Sequence, residues 1–337
     1  MRFKKILVTG GAGYVGAVLV PRLLHTGYAV KVLDLYTYGR GALRSVAGHP
    51  KLEEIIGDIR DEELVDNSLR GCNAVIHLAC ISNDASVELD PKLSRSINYD
   101  AFRPLVRFAK KNGVRRFIFA SSSSVYGVSD APNVTEDHPH LPITAYNKYK
   151  SMCETVMWEE QTPDFSVVSI RPATLCGYSP RMRLDLTINI LTNHAVNADK
   201  ITVFGGSQMR PNLHIEDMVD LYLTLLEVAD EKIAGKAFNT AYKNYRVSEL
   251  AQMVKAVVGN KVPQRRNVEI VTTPSDDIRS YHVSTEKIRK ELGFVPKRSM
   301  EEAISDLVDA FQSGKIPDSL DNINYYNVKK MKAVALR

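Results

Sequence analysis

The sequence predicts an α/β protein: a doubly wound, mostly parallel sheet that carries a smaller α/β lobe. Three observations predict it. Short β-branched runs alternate with stretches of helical apolar spacing through roughly the first half of the 337 residues. The runs are almost continuously apolar, as strands covered on both faces must be. After Arg171 the rhythm breaks, with Pro, Gly and Arg clustered at 171–183 and again at 204–211.

The elements follow in order. Strands are expected at Ile6–Val8, Val30–Leu33, Leu52–Ile56, Ala74–Leu78, Phe117–Ala120 and Phe165–Ile170. Met1-Arg2-Phe3-Lys4-Lys5 has the basic start of a secretion signal. The chain reaches glycines too soon for an apolar h-region, so a first strand is the expectation. Helical spacing runs over 15–25, 61–69, 99–112 and 146–160. The dinucleotide-binding Rossmann-type domain is expected over 1–173, with a returning segment near 212–242. The substrate-binding lobe then comprises 174–211 and 243–337, with helices over 248–258 and 300–312 and isolated strands. The tail from Asp318 is polar, basic and rich in tyrosine, and its order is not fixed by pattern.

Composition is that of an ordinary globular protein, 44% hydrophobic and 25% charged with a net charge of +5. The positive balance suits a small anionic ligand. No Lys/Arg block marks a nucleic-acid arm, and no apolar run reaches membrane-spanning length. Cys72, Cys80, Cys153 and Cys176 form no C-x-x-C pair and no metal spacing. They read as reduced thiols of a cytoplasmic protein, and no metal is expected.

The glycine turn carries the first chemistry. Gly10, Gly13 and Gly16 are spaced G-x-x-G-x-x-G directly after the first strand, and the next strand ends in Asp34. Such a turn lets the backbone approach a pyrophosphate, and the following helix turns its N–H groups toward it. Tyr14 and Val15 belong to the same turn. Asp34 can accept from the adenosine ribose hydroxyls and would repel a 2′-phosphate, which favours NAD over NADP; Arg40 nearby weakens that preference. Asp58-Ile59 follow the third strand at the edge where ligands bind. Asp58 is placed either to contact adenine or to cap the helix 61–69. Leu78-Ala79 end the fourth strand, and His77 reads as a structural histidine.

The second chemistry lies near the middle of the chain. Tyr-x-x-x-Lys occurs at Tyr146/Lys150, Tyr325/Lys329 and Tyr326/Lys330. Only the first falls in the α/β core. On a helix its two members share one face, and the ammonium favours the phenolate. The Ser121–Ser124 run follows the fifth strand and can bring a hydroxyl to the same edge, with at least two of its serines serving as turn residues. Phenol, ammonium and hydroxyl together suit removal of a proton from an alcohol while a nicotinamide takes the hydride.

These motifs, with Gly57-Asp58, His77-Leu78-Ala79, Asn98, Ser-Ser-Ser-Ser-Val-Tyr-Gly, Arg171-Pro172-Ala173 and 210–217, resemble the extended short-chain dehydrogenase/reductases. Within them the chain is most similar to the NAD-dependent epimerase/dehydratase group that acts on nucleotide sugars. The resemblance implies catalytic Ser122, Tyr146 and Lys150, and adds Asn98 to the cofactor residues. Family 4,6-dehydratases carry acids at the two positions held here by Ser123 and Ser124, which argues against dehydration. A uronic-acid decarboxylase has a Glu in the same region. For substrate the resemblance implies Ser122, Ser123, Thr174, Arg181, Arg183, Arg210 and Arg279. The arginines are candidates for a diphosphate, which needs compensating charge and forked donors. Thr174 stands where many relatives have Asn, and Cys176 where they have an aromatic residue. The run 178–186 is similar to a subgroup that includes nucleotide-heptose C4 dehydrogenases.

The implied activity is a UDP-glucose-type 4-epimerase. The alternatives are a C4 dehydrogenase or 4-ketoreductase with exchangeable cofactor, or a non-catalytic dinucleotide sensor on the same fold. Relatives pair through the helices near 99–112 and 146–160. A homodimer is therefore implied, with Phe102, Val106, Ala109, Met152 and Val156 as its candidate apolar face.

Overall fold

The computed structural model describes residues 1–129, 131, 133–274 and 282–334. Arg279 lies outside the described residues. The first six strands are β1 (Lys5–Thr9), β2 (Ala29–Asp34), β3 (Leu52–Ile56), β4 (Ala74–His77), β5 (Arg116–Ala120) and β6 (Ser166–Pro172). Four more follow in the second half: β7 (Thr174–Cys176), β8 (Lys200–Phe204), β9 (Met209–His214) and β10 (Lys236–Thr240). The last two are β11 (Lys243–Arg246) and β12 (Glu269–Thr273). Strands β1–β6 and β10 form one parallel sheet of order β10-β6-β5-β4-β1-β2-β3. The order reverses between β1 and β4, and the crevice beyond their C-terminal ends is where such sheets bind ligands.

Local chemistry accounts for the element ends. The helix Gly16–Thr26 stops at Gly27, whose φ of 103° closes a left-handed cap. Asp61 caps the helix Glu62–Leu69 by accepting from Leu64 N at 3.0 Å, which leaves Asp58 out of that role. Thr144 caps Ala145–Glu160, and Ser299 with Glu302 forms a capping box for Met300–Gln312. A π-turn at Ser96–Asp100 precedes the helix Phe102–Lys111, so the helical run expected from Tyr99 is not one regular helix.

Phe102, Val106, Ala109 and Val156 are buried against the sheet of their own chain. These four do not form an outward face and are spent inside the fold; Met152, the fifth residue of the expected dimer face, is half-buried. Helical periodicity marks a buried stripe without saying what buries it. The outer sides of the two helices are joined instead by the ion pairs Arg103–Glu159 and Arg107–Glu160.

The second half begins as a separate layer. β7, β9 and β11 form one small sheet, and β8 pairs with β12, so the strands expected to be isolated are paired. The helix Ile215–Glu227 packs back on the helix Gly16–Thr26, and β10 rejoins the main sheet beside β6. Arg22 forks to Glu216 and Asp220 to fasten this return. The tail is ordered as far as described. Ser319 Oγ donates to Asn193, Tyr326 Oη donates to Ser319 O, and the helix Asn327–Val334 brings Met331 to the central cavity. No helix among the described residues is long and apolar enough to cross a membrane.

Candidate active site

A cavity of about 570 Å³ runs across the C-terminal ends of β1 and β4, within the size range of small-molecule sites. One end is walled by the glycine turn, Asp34, Tyr38, Asp58 and Ile59. The other is walled by Ser122, Ser123, Tyr146, Lys150, Thr174 and Arg210. The structure thus brings together most of the residues singled out in the sequence. They meet because parallel strands all deliver their C-terminal loops to one edge.

The glycine turn is built on close approach. Gly10 has a φ of 73°, and a Cβ there would lie 2.6 Å from Ala79 N in the loop after β4. A Cβ on Gly16 would lie 2.4 Å from Gly11 O. The bare Gly10 lets the turn touch the loop after β4, and the bare Gly16 lets the turn close on its own Gly11. Tyr14 lines the cavity with its ring, but its hydroxyl donates to Gly177 O at 2.7 Å and accepts from Asn189 Nδ2 at 3.1 Å. Its phenol therefore ties the turn to the segment that follows β7, and burial raises its pKa well above the ordinary tyrosine value.

Asp34 is fixed at both oxygens. Ala12 N donates to Oδ2 at 2.9 Å and Tyr36 N to Oδ1 at 2.7 Å. Burial pushes its carboxyl above the usual range against the pull of those two amides and of Arg181. Arg40 is exposed and is not part of the cavity wall. Asp58 faces the cavity as well. Burial would raise its carboxyl, but the hydrogen bonds and charge of Arg60 outweigh that and hold it below the usual range.

Asn98 sits elsewhere than expected. Its side chain is 8% exposed and is consumed by Ile81, accepting from Ile81 N at 2.8 Å and donating to Ile81 O at 2.9 Å. It shapes the loop after β4 from the π-turn and is not in the cavity wall. His77 is buried beside Phe119, with Nδ1 2.7 Å from Thr9 Oγ1. Burial and Lys150 lower its pKa to about 3, so it stays neutral.

At the other end, Lys150 Nζ donates to Ala120 O at 2.6 Å and lies 5.7 Å from the centre of the Tyr146 ring. The strand end thereby fixes the ammonium beside the phenol. Ser122 caps the short turn Ser123–Tyr126, and its Oγ is 2.7 Å from Ser124 Oγ. Ser124 Oγ donates in turn to Asn147 Oδ1 at 2.6 Å. Sequence reasoning left this relay out: Ser124 and Asn147 lock the serine turn to the helix that carries Tyr146. An Asn next to the Tyr was the only signal for it.

The arginines divide. Arg183 makes a forked pair with Asp185, at 3.0 and 3.1 Å. Burial acts to raise the Asp185 carboxyl, but the Arg183 charge and its fork hold it low. Arg210 and Thr174 line the catalytic end from β9 and β7. Arg181 lies against Tyr38, in the loop after β2. Residues from the tail and from the loop after β4 were not anticipated. Asn327 donates through Nδ2 to Ser82 Oγ at 2.9 Å, and Asn83 donates to Asp185 at 3.0 Å.

The glycine cradle, an acid fixed at the end of β2 and a phenol–ammonium pair across the switch point together fit a nicotinamide dinucleotide. The sequence profile of the NAD dependent epimerase/dehydratase family matches residues 6–241. The chain belongs to this family. Among its relatives, a UDP-glucose 4-epimerase of Streptococcus mutans is 30% identical over 318 residues, covering 87% of this chain and 92% of that protein. A UDP-glucose 4-epimerase of Bacillus subtilis is 28% identical over 330 residues, covering 89% and 95%. The UDP-glucose 4-epimerase of Thermotoga maritima, solved with UDP-glucose, superposes with a TM-score of 0.81 at 25% identity, covering 92% of this chain and 99% of that one. NAD is the cofactor of this family. The cradle that any Cβ would fill and the buried unpartnered Nε of Arg181 fit such an anionic dinucleotide.

Proposed function

We propose that the protein is an NAD-dependent 4-epimerase of a nucleotide-diphosphate sugar. The observation that carries the reading is the cluster of Ser122, Tyr146 and Lys150 at one end of a cavity whose other end is a dinucleotide cradle. Similarity to UDP-glucose 4-epimerases over most of the chain supports the substrate class.

In this reading Tyr146 accepts the proton of the sugar 4-hydroxyl and returns it to the same oxygen once the 4-keto sugar has turned its other face to the nicotinamide. Lys150, held by Ala120 O, stabilises the phenolate by its charge. Ser122 holds the reacting oxygen, with its own orientation set through Ser124 and Asn147. The bound nicotinamide supplies the acceptor and donor of hydride at C4. Arg210 and Arg183 face the substrate's diphosphate, and Thr174 the sugar. Ser123 and Ser124 offer no carboxyl, which argues against loss of water from the 4-keto sugar. With Cys72, Cys80, Cys153 and Cys176 all unpaired, a cytoplasmic enzyme is the matching compartment. A homodimer remains part of the reading, through a face other than the buried one.

Mass spectrometry of small molecules released from the denatured, purified protein tests it. NAD at near-equimolar content, with conversion of UDP-glucose to its 4-epimer and no added cofactor, is the expected result. Turnover only with added NAD, with NADH accumulating, would replace epimerisation by net oxidation.

A further inference from the structure

Arg181 lines the cavity as a buried cation with no ion-pair partner among the described residues. Its side chain is 6% exposed, and its guanidinium carbon lies 3.5 Å from the centre of the Tyr38 ring. Nη2 donates to Asn327 Oδ1 at 2.6 Å, Nη1 reaches Met182 O at 3.5 Å, and the Tyr38 hydroxyl is a further hydrogen-bond partner. Nε is buried with no partner at all. The neighbouring Arg183 has its carboxylate in Asp185; Arg181 has none. Asp34 and Asp185 attract Arg181 without touching it; a buried guanidinium with no carboxylate in contact costs stability, and such a cost persists where a ligand removes it.

Its position selects the ligand. Arg181 lies against Tyr38, in the loop after β2, where Asp34 attracts it. It is delivered by the second lobe and aimed by Asn327, whose backbone N also reaches Asp185 Oδ2 at 3.4 Å. We propose that Arg181 binds a phosphate oxygen of the NAD pyrophosphate, with Asn327 as its positioning residue. The second lobe and the C-terminal helix then hold the dinucleotide against the glycine turn from the far side. The inference rests on the NAD site and not on the identity of the sugar. Two other phosphates share the chemistry: the 2′-phosphate of NADP and the diphosphate of the sugar nucleotide.

The test uses the full chain with Arg181→Met, Arg181→Lys and Asn327→Ala. NAD and NADP are titrated by calorimetry, and UDP is titrated at saturating NAD. Thermal melting is followed with and without NAD. Arg181→Met is expected to weaken NAD at least tenfold and to leave UDP within about twofold. Its melting temperature without ligand should be no lower than wild type, and the rise on adding NAD should shrink. Arg181→Lys keeps the charge but loses the fork, so it should weaken NAD less while folding normally, which covers a failure of the Met variant. Asn327→Ala should weaken NAD with UDP unchanged. A loss confined to NADP or to UDP, an equal loss of all three, or a lower ligand-free melting temperature with NAD affinity kept would overturn the proposal.

Discussion

Cofactor choice should turn on Asp34. Both of its oxygens are held by backbone amides, at 2.9 and 2.7 Å, so the carboxylate cannot swing away from an added phosphate. At about 5 Å, with an effective dielectric constant of about 20, each unit of like charge costs roughly 3 kcal/mol. Solvent at this half-buried site screens part of that, and Arg181 attracts either dinucleotide. The net expectation is NAD binding at least tenfold tighter than NADP, about 1.4 kcal/mol. Asp34→Asn keeps the shape but offers one acceptor where two amides need one each. It should weaken NAD, narrow the preference to about twofold or less, and lower stability by roughly 1–3 kcal/mol. Calorimetric titration of both dinucleotides, with thermal melting of the ligand-free proteins, measures all three. Equal affinities in the wild type, or a preference untouched in Asp34→Asn, would refute the reasoning.

Other outcomes follow from the same geometry. Tyr146→Phe should reduce turnover to a few per cent or less with NAD affinity nearly unchanged, read by a coupled assay and titration. Gly10→Ala should abolish NAD binding and cost roughly 1–3 kcal/mol from the positive φ alone, measured by denaturant unfolding. Glu154 is buried, and burial would raise its pKa, but Arg171 and Ser169 hold it below the ordinary value. A depressed acid contributes stability above its unfolded pKa, about 4.3, that is lost as pH falls through the folded value. Glu154→Gln should therefore flatten the fall in melting temperature below about pH 4. Glu154→Ala should cost roughly 3–5 kcal/mol by stranding Arg171.

What the sequence revealed depended on how local each constraint is. Gly10, Gly16 and Asp34 were legible because backbone approach and strand-end placement are set within some 25 residues. Tyr146 and Lys150 were legible because one helical turn separates them. Asn98 was placed in the right neighbourhood, but its side chain serves Ile81, a partner that only the π-turn brings near. Phe102, Val106, Ala109 and Val156 gave a true apolar stripe, and periodicity could not say whether a sheet or a second subunit covers it. The side of the cavity taken by Arg181, and the roles of Asn327 and Met331, depend on docking between segments 146 residues apart at Arg181 and Asn327. No local pattern encodes that.

The fate of the hydrogen at C4 tests the central claim most directly. UDP-glucose deuterated at C4 is incubated with the purified protein, without added cofactor, and the product is examined by NMR and mass spectrometry. The account predicts a 4-epimer that keeps the deuterium at C4, with no net NADH, since the same nicotinamide removes and returns it. Loss of the label, or accumulation of a 4-keto sugar with stoichiometric NADH, would contradict it.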